Sequence, residues 1–316
     1  MPPLPREPSL PGPVRENLLE QFDRRLPDLE RKLSEVMETQ WRFDIDPQSI
    51  YPYTSRYSRE ILGGDLYRIC ERCVDDLDSF KTKFTLRAIQ DINTLCPARA
   101  ITIRYDERRP EDDDRPIIGC NVSEDGMLRV RFGEDNFGHD TCPLEEEKLL
   151  LGLDVSSRTI GWNVPFRALA WVRRDFDDEI PELRDMYRKV MRKHTVDFRP
   201  DFGAVQKSLG PFFSSKGTGT WWEAEMGKKV LLWMKGIAFG LGSQGFQDDE
   251  MLREAYHEAV HTGVVGFRIV EKLVGNGDDE MEFVIEDGVL YLQCTADAYD
   301  MGPSTYGAMK KLADLL

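Results

Sequence analysis

Five residues in the last quarter of the chain have the types and spacing of a zinc site. Residues 257–261 read H-E-A-V-H and hold two of the four histidines in the sequence. In an α-helix, residues i and i+4 lie on one face, so His257 and His261 can grip a single ion with two imidazoles. Glu258 lies beside them and can take a proton from a water on that ion. The H-E-x-x-H pattern therefore predicts zinc with Glu258 as general base.

A catalytic zinc needs a third protein ligand and one open position. Asp297 and Asp300 are the favoured candidates, because they follow an apolar segment that reads as a strand and leads back towards the motif helix. Other carboxylates lie close by in sequence and read as turn or hairpin-surface residues: Asp278, Asp279, Glu280, Glu282, Glu286 and Asp287. The sequence leaves the choice of third ligand open.

The same region resembles the aspzincins, a mainly fungal family of metallopeptidases that includes deuterolysins and lysine-specific endopeptidases. These combine H-E-x-x-H with a G-T-x-D-x-x-Y-G segment, and residues 295–297 (TAD) match its T-x-D. Cys294 replaces the family's first glycine, and the Tyr-Gly pair comes later, at 306–307. The resemblance covers only about the last sixty residues.

The resemblance implies roles for several residues of this chain. His257, His261 and Asp297 (or Asp300) would bind Zn²⁺, and Tyr306 would stabilise the oxyanion. With a metal-bound water as nucleophile and Glu258 as base, the predicted function is a zinc-dependent hydrolase of the metallopeptidase type. The substrate is a peptide or, as an alternative, a small molecule of a biosynthetic pathway.

Two further alternatives come from different classes of protein. In the first, the chain is a non-catalytic scaffold and the histidines lie on the surface of an amphipathic helix. In the second, residues 149–154 form an apolar strand that ends in Asp154, as in RuvC-like nucleases, where such an aspartate binds Mg²⁺.

Composition narrows the possible partners. The chain has 316 residues and a formal net charge of −15, which disfavours binding to nucleic acid through phosphate contacts unless the basic residues cluster. No apolar stretch is long enough to span a membrane, and no secretory signal is apparent, so we expect a cytoplasmic protein. The six cysteines, including the pair in Cys70-Glu71-Arg72-Cys73, are expected to be buried thiols.

Hydrophobic periodicity predicts an α+β fold, in which a helical N-terminal part precedes a mixed zincin-like region with an active-site helix and a β-hairpin. We expect a disordered segment at 1–13, a mainly helical region with a hairpin at 14–143, and the zincin-like region at 144–316. No internal repeat is evident along the chain.

Individual elements follow from the same patterns. Helices are predicted at 14–39 with a kink at Pro27, at 58–80, 85–95 and 180–193, and from residue 248 or 249 past His261; a short helix is predicted at 305–316. Residues 221–241 are predicted to form either an apolar helix or a buried strand. A strand is predicted at 100–105, hairpins at 117–132 and 281–293, and a loop or linker at 210–220.

Overall fold

The computed structural model describes residues 9–105, 119–133, 137, 143–192, 196–274, 281–301, 312, 315 and 316. The chain divides into two compact units, Met1–Arg167 and Ala168–Leu316. This division lies later than the boundary expected after residue 143. The helix at residues 146–159 lies after the expected boundary but belongs to the first unit, because its Ser156 hydroxyl accepts a hydrogen bond of 3.0 Å from the Val122 backbone N–H.

The first unit begins with helices and ends with a sheet and one covering helix. Its elements are α1 (Gly12–Leu18), a π-helical turn (Leu19–Asp23), α2 (Leu26–Met37), β1 (Arg42–Phe43), α3 (Pro47–Ile50), a 3₁₀ turn (Tyr51–Tyr53), α4 (Arg56–Glu60), α5 (Leu62–Leu95), β2 (Ala100–Tyr105), β3 (Gly119–Val122), β4 (Leu128–Phe132) and α6 (Glu146–Thr159).

The sheet of the first unit has the order β1-β2-β4-β3. Strands β1, β2 and β4 are parallel, and β3 is antiparallel to β4. Side chains alternate between the two faces of a strand. Ile101, Ile103, Leu128 and Val130 are buried on one face and form part of the core of this unit.

The second unit repeats this plan. Its elements are α7 (Phe166–Val172, of which the first two residues belong to the first unit), a π-helical turn (Arg173–Asp177), α8 (Ile180–Met191), β5 (Asp197–Phe198), α9 (Phe202–Ser215), α10 (Trp221–Ser243), α11 (Glu250–Ala259), β6 (Val264–Ile269), β7 (Met281–Glu286), β8 (Val289–Cys294) and α12 (Ala296–Met301). The sheet order is β5-β6-β8-β7, with β5, β6 and β8 parallel and β7 antiparallel to β8.

The two sheets therefore share order, direction and connection, which indicates an internal duplication. In both units an α-helix, a π-helical turn and a second α-helix precede the first strand. The backbone bonds also correspond, since Asp44 N–H donates to Ile101 O at 2.8 Å and Arg199 N–H donates to Val265 O at 2.9 Å. The expectation that the chain holds no repeat is thus wrong.

A short stretch of sequence carries the same duplication. Residues 22–29 (FDRRLPDL) and 176–183 (FDDEIPEL) share Phe, Asp, Pro and Leu at equal spacing. The helices that follow both end at a residue with positive φ, Glu38 at 53° and Arg192 at 58°. The remaining positions have diverged, so the repeat is visible in the structure and hardly at all in the sequence.

Two glycines mark an equivalent helix contact in each unit. A Cβ on Gly63 of α5 would lie 2.8 Å from Leu18 Cα, at the end of α1. A Cβ on Gly227 of α10 would lie 2.8 Å from Val172 Cα, at the end of α7. In both units only glycine lets the long helix approach the backbone of the first helix this closely.

Most of the predicted elements are confirmed. The strand at 100–105, both hairpins and the helices near 180–191 and 221–243 are present, and the predicted break before residue 85 is a kink in α5 at Thr85, with φ 70° and ψ 169°. The expected linker at 210–220 is wrong in part, because α9 runs through Pro211 to Ser215. The predicted helix at 305–316 lies largely outside the described residues.

The described part of the chain contains no helix that is long and apolar enough to span a membrane.

Candidate functional site

Helix α11 carries the first part of the H-E-x-x-H segment. Its start is capped by Asp249, whose carboxylate accepts hydrogen bonds from the N–H groups of Met251 at 2.9 Å and Leu252 at 3.2 Å. The buried Arg253 guanidinium donates to the carbonyl oxygen of Phe246 at 2.6 Å. The helix is thus firmly anchored at its N-terminal end, as the sequence predicts.

The C-terminal end of α11 divides the motif. The helix ends at Ala259, and Val260 leaves the helical region with φ −105° and ψ 53°. Gly263 adopts φ 66° and its N–H donates to Val260 O at 2.9 Å, which turns the chain directly into β6. The prediction that the helix continues past His261 is therefore wrong. His257 and His261 lack the common helical face on which the zinc prediction depends.

The His261 side chain lies against the β7–β8 turn. A Cβ placed on Gly288 would lie 2.5 Å from both ring nitrogens of His261, so the imidazole covers this glycine. The neighbouring Thr262 donates to Gly288 O through its hydroxyl at 2.5 Å and through its N–H at 3.2 Å. Gly288 itself has φ 73°, a conformation that favours glycine. His261 and Thr262 thus connect the end of α11 to the β7–β8 turn, the first by packing and the second by hydrogen bonds.

Asp297 and Asp300 follow the opposite end of β8. His261 contacts the residue just before Val289, whereas the two aspartates lie in α12, after Cys294. A strand of this length spans about 17 Å, whereas the donor atoms of one zinc site each lie about 2 Å from the metal. The structure does not bring these carboxylates to the histidines.

Lysine side chains hold both aspartates. Lys216 Nζ lies 3.0 Å from Asp300 Oδ2 and 3.8 Å from Asp297 Oδ1. Lys229 Nζ donates to the Asp300 backbone carbonyl at 3.3 Å. Since an ammonium group competes with a metal ion for the same carboxylate, this contact favours a structural role for α12.

The other carboxylates of the second sheet also have partners. Arg268 donates two bonds of 2.8 Å to Glu286, and the Glu282 carboxylate accepts from the Gln293 side chain and from Val274 N–H. The guanidinium of Arg268 lowers the pKa of Glu286 through this hydrogen bonding. Asp278, Asp279, Glu280 and Tyr306 lie outside the described residues.

The arrangement of the predicted ligands does not fit a catalytic zinc. Glu258 is exposed and His257 is half-buried in the last turn of α11, while His261 is exposed beyond it. Across the described residues, no three or more His, Cys, Asp or Glu side chains are grouped so that they could hold a metal ion. The zinc site stays a prediction from the spacing of residues 257–261.

The cysteines of the first unit are buried thiols. Cys70, Cys73, Cys96 and Cys120 are all enclosed in the core and form no disulfide. Burial raises the pKa of Cys73 well above its ordinary value and raises the pKa of Cys120 to about 12. Thiols of such high pKa are poor nucleophiles and poor metal ligands. Cys142 lies outside the described residues.

Asp154 belongs to a helix. Residues 146–159 form α6, so the strand that the nuclease alternative requires is absent at this position. The Asp154 carboxylate accepts from Arg158 Nε at 2.9 Å and from Arg167 N–H at 3.1 Å. The first contact lies within α6 and the second holds the start of α7, so this carboxylate has a structural role.

Sequence reasoning missed one polar surface that the register of the first sheet assembles. Arg129 and Arg131 alternate along β4, and Arg104 lies beside Arg131 on β2. The signal for it is the R-x-R spacing inside a predicted strand, which places both arginines on one face.

Comparisons with known proteins assign no family to this chain. No protein-family model matches it, and neither a curated protein nor a solved structure does. The resemblance to the aspzincins therefore stays a prediction that rests on the motif residues alone.

Proposed function

We propose that this protein acts by binding, as a scaffold or accessory protein built from two copies of one α+β unit. In this proposal the H-E-x-x-H segment has a structural role. The observation that carries it is the end of α11 at Ala259, which separates the two histidines and places His261 over Gly288.

The partners of the predicted third ligands support this proposal. Asp300 is paired with Lys216, and Glu286 with Arg268. A zinc ion that recruited either carboxylate would have to break an existing ion pair, and it would leave a cation beside the metal.

Zinc binding tests the proposal directly. We expect purified protein, titrated with zinc against a chromophoric chelator, to take up no stoichiometric metal. We also expect His257→Ala and His261→Ala to behave like the unmodified chain in that titration. Metal content measured by mass spectrometry supplies an independent readout. One zinc per chain, lost in both histidine variants, would contradict the proposal.

The free energy of unfolding tests whether the His261 side chain has a structural role. His261→Ala removes the ring that covers Gly288, and we expect a loss of about 0.5–1 kcal/mol in the free energy of unfolding. Glu258→Gln is the matched control, because Glu258 is exposed and near in sequence. We expect no change in stability for this control.

The zinc hydrolase stays a prediction with its own test. It requires Val260 to become helical and His261 to leave Gly288, so zinc would have to lengthen α11 by about one turn. A zinc-dependent gain of helical circular dichroism, together with peptide or ester hydrolysis that Glu258→Gln abolishes, would establish it in place of the binding proposal.

A further inference from the structure

The exposed residues of α10 all lie on one face of the helix. We define them as the α10 stripe, in which each member follows the previous one after three, four or seven positions. A helix turns by about 100° per residue, so these intervals keep the side chains within one narrow sector. The α10 stripe consists of Trp221, Glu225, Lys228, Leu232, Phe239 and Ser243.

Three members of the stripe are large apolar side chains. Trp221 is 46% exposed, Leu232 is 45% exposed and Phe239 is 63% exposed. The opposite face of α10 packs in the core of the second unit through residues such as Met226 and Val230, which are fully buried. The stripe is therefore apolar for a reason other than core packing. A row of exposed apolar side chains is typical of a surface that binds another molecule.

The equivalent helix face of the first unit carries charges at two of these positions. The contact of Gly63 with α1 matches the contact of Gly227 with α7, which aligns α5 with α10 residue by residue. Two exposed charged residues of α5 then align with apolar members of the stripe: Arg68 with Leu232, and Asp75 with Phe239. Charged residues are usual on a helix face that contacts water. Their replacement by apolar residues in the second copy favours a face that another molecule covers.

The order of side chains along the stripe is complementary to itself. Its first four members are apolar, acidic, basic and apolar in chain order: Trp221, Glu225, Lys228 and Leu232. Against the same stripe in the reverse direction, each apolar side chain meets an apolar one and each charge meets its opposite. Both kinds of pair are centred on the same point, between residues 226 and 227. A single antiparallel alignment of two copies of α10 therefore forms all of them together.

This alignment has the symmetry of an isologous interface. A two-fold axis between residues 226 and 227 makes each contact occur twice, once on either side of the axis. Trp221 of each copy meets Leu232 of the other, and Glu225 meets Lys228, over about 18 Å of helix. The Glu225 side chain is 50% exposed, and its carboxylate lies 4.0 Å from Lys229 Nζ of its own chain. So loose a contact leaves the carboxylate accessible to a second copy.

We propose that the α10 stripe is a docking surface for α10 of a second copy of this chain, in antiparallel orientation about this axis. Burial of the two tryptophan–leucine pairs stabilises the dimer, and the two ion pairs set its direction and register. The paired segment is short, so the association is weak and reversible. The surface consists of α10 alone and is independent of the role of residues 257–261.

Sedimentation velocity of the full chain over a wide range of concentration tests the proposal. The buffer contains about 0.15 M salt, where the Debye length of about 8 Å screens the repulsion between two chains of net charge −15. We expect a monomer at low concentration and a dimer at high concentration. Leu232→Ser and Glu225→Lys should each weaken dimerisation about tenfold or more, because every change acts twice in a symmetric interface.

Exchange of the two charges tests the register. Glu225→Lys and Lys228→Glu each place like charges opposite one another, whereas the double variant restores opposite charges, so we expect it to dimerise nearly as tightly as the unmodified chain. Both residues are exposed, and an unchanged thermal midpoint in circular dichroism shows that each variant is folded. Val155→Ser is the matched control. Val155 is 64% exposed and lies in α6, outside the stripe, so this variant should leave dimerisation unchanged.

Several results would overturn the proposal. A chain that is monomeric at every concentration would do so, and resistance of Lys228 to an amine-reactive reagent would then assign the face to another segment of the same chain. A double charge variant that associates as weakly as either single variant would refute the register. So would a larger effect of Phe239→Ser than of Leu232→Ser, because Phe239 lies beyond the paired segment. Equal weakening by Val155→Ser and Leu232→Ser would place the interface elsewhere.

Discussion

Gly63→Ala introduces a methyl group where α5 meets the backbone of α1. The new Cβ would lie 2.5 Å from Asn17 O and 2.8 Å from Leu18 Cα. Neither atom can rotate away, because both belong to the backbone of a helix whose Asn17 side chain also accepts a bond of 2.8 Å from Gly63 N–H. The helices must therefore move apart.

The magnitude follows from two opposing effects. Overpacking in a close contact costs about 1–3 kcal/mol, and backbone atoms on the other side favour the upper end of that range. Replacing glycine by alanine inside a helix contributes up to about 1 kcal/mol in the opposite direction. We expect Gly63→Ala to lower the free energy of unfolding by about 2 kcal/mol.

The adjacent glycine is a matched control. A Cβ on Gly64 would meet nothing within 4 Å, so Gly64→Ala shows the helix propensity alone and should raise the free energy of unfolding by about 0.5 kcal/mol. Urea denaturation followed by far-ultraviolet circular dichroism measures both variants. Gly63→Ala that is as stable as Gly64→Ala would refute the contact between α1 and α5.

The duplication extends this prediction to the second unit. Gly227→Ala should destabilise the chain by a similar amount, because its Cβ would lie 2.8 Å from Val172 Cα. A neutral effect of Gly227→Ala beside a costly Gly63→Ala would show that the two contacts are not equivalent.

Three further predictions concern the turns and the second sheet. Gly288→Ala should lower the free energy of unfolding by about 1–2 kcal/mol in urea denaturation, because Gly288 has φ 73° and is covered by His261. The loss should be smaller in the His261→Ala background. Equal losses in both backgrounds would contradict the contact between His261 and Gly288. Thr85→Gly should raise the thermal midpoint, with a gain of about 1 kcal/mol, because φ 70° with ψ 169° is a region that glycine alone adopts freely; a lower midpoint would refute strain at the kink. Hydrogen bonding from Arg268 lowers the pKa of Glu286. The stability that this ion pair contributes is therefore present above about pH 4.3 and is lost as the pH falls through the folded-state pKa of Glu286. Arg268→Gln should make stability fall less steeply on acidification, and an unchanged slope would contradict the pairing.

The sequence alone determined the elements whose signals are local. Alternation of apolar residues located β2 and both hairpins. Asp248 or Asp249 marked the start of α11, and the structure selects Asp249, whose carboxylate caps N–H groups only two and three residues away. The sequence also predicted separate helices at 58–80 and 85–95, and α5 has its kink at Thr85, where the second begins. Each of these features depends on neighbours in the chain.

Tertiary structure decided where α11 ends. Residues 260–263 contain no proline, and a helical pattern continues through His261. The helix stops because Val264 must pair with Val289 and because Thr262 bonds to Gly288, contacts between segments more than twenty residues apart. A five-residue motif contains no information on such contacts. Its spacing therefore predicted two histidines on one helical face, whereas the helix ends between them.

The two arginines of β4 show the same division. The R-x-R spacing places Arg129 and Arg131 on one side of β4, which the sequence determines by itself. Which residue pairs with Arg131 depends on the register with β3, where Gly119 lies opposite it, whereas in the second unit Glu282 lies opposite Gln293. Pairing between strands depends on residues far apart in the chain, so the sequence of one strand does not reveal which side chain lies opposite each arginine.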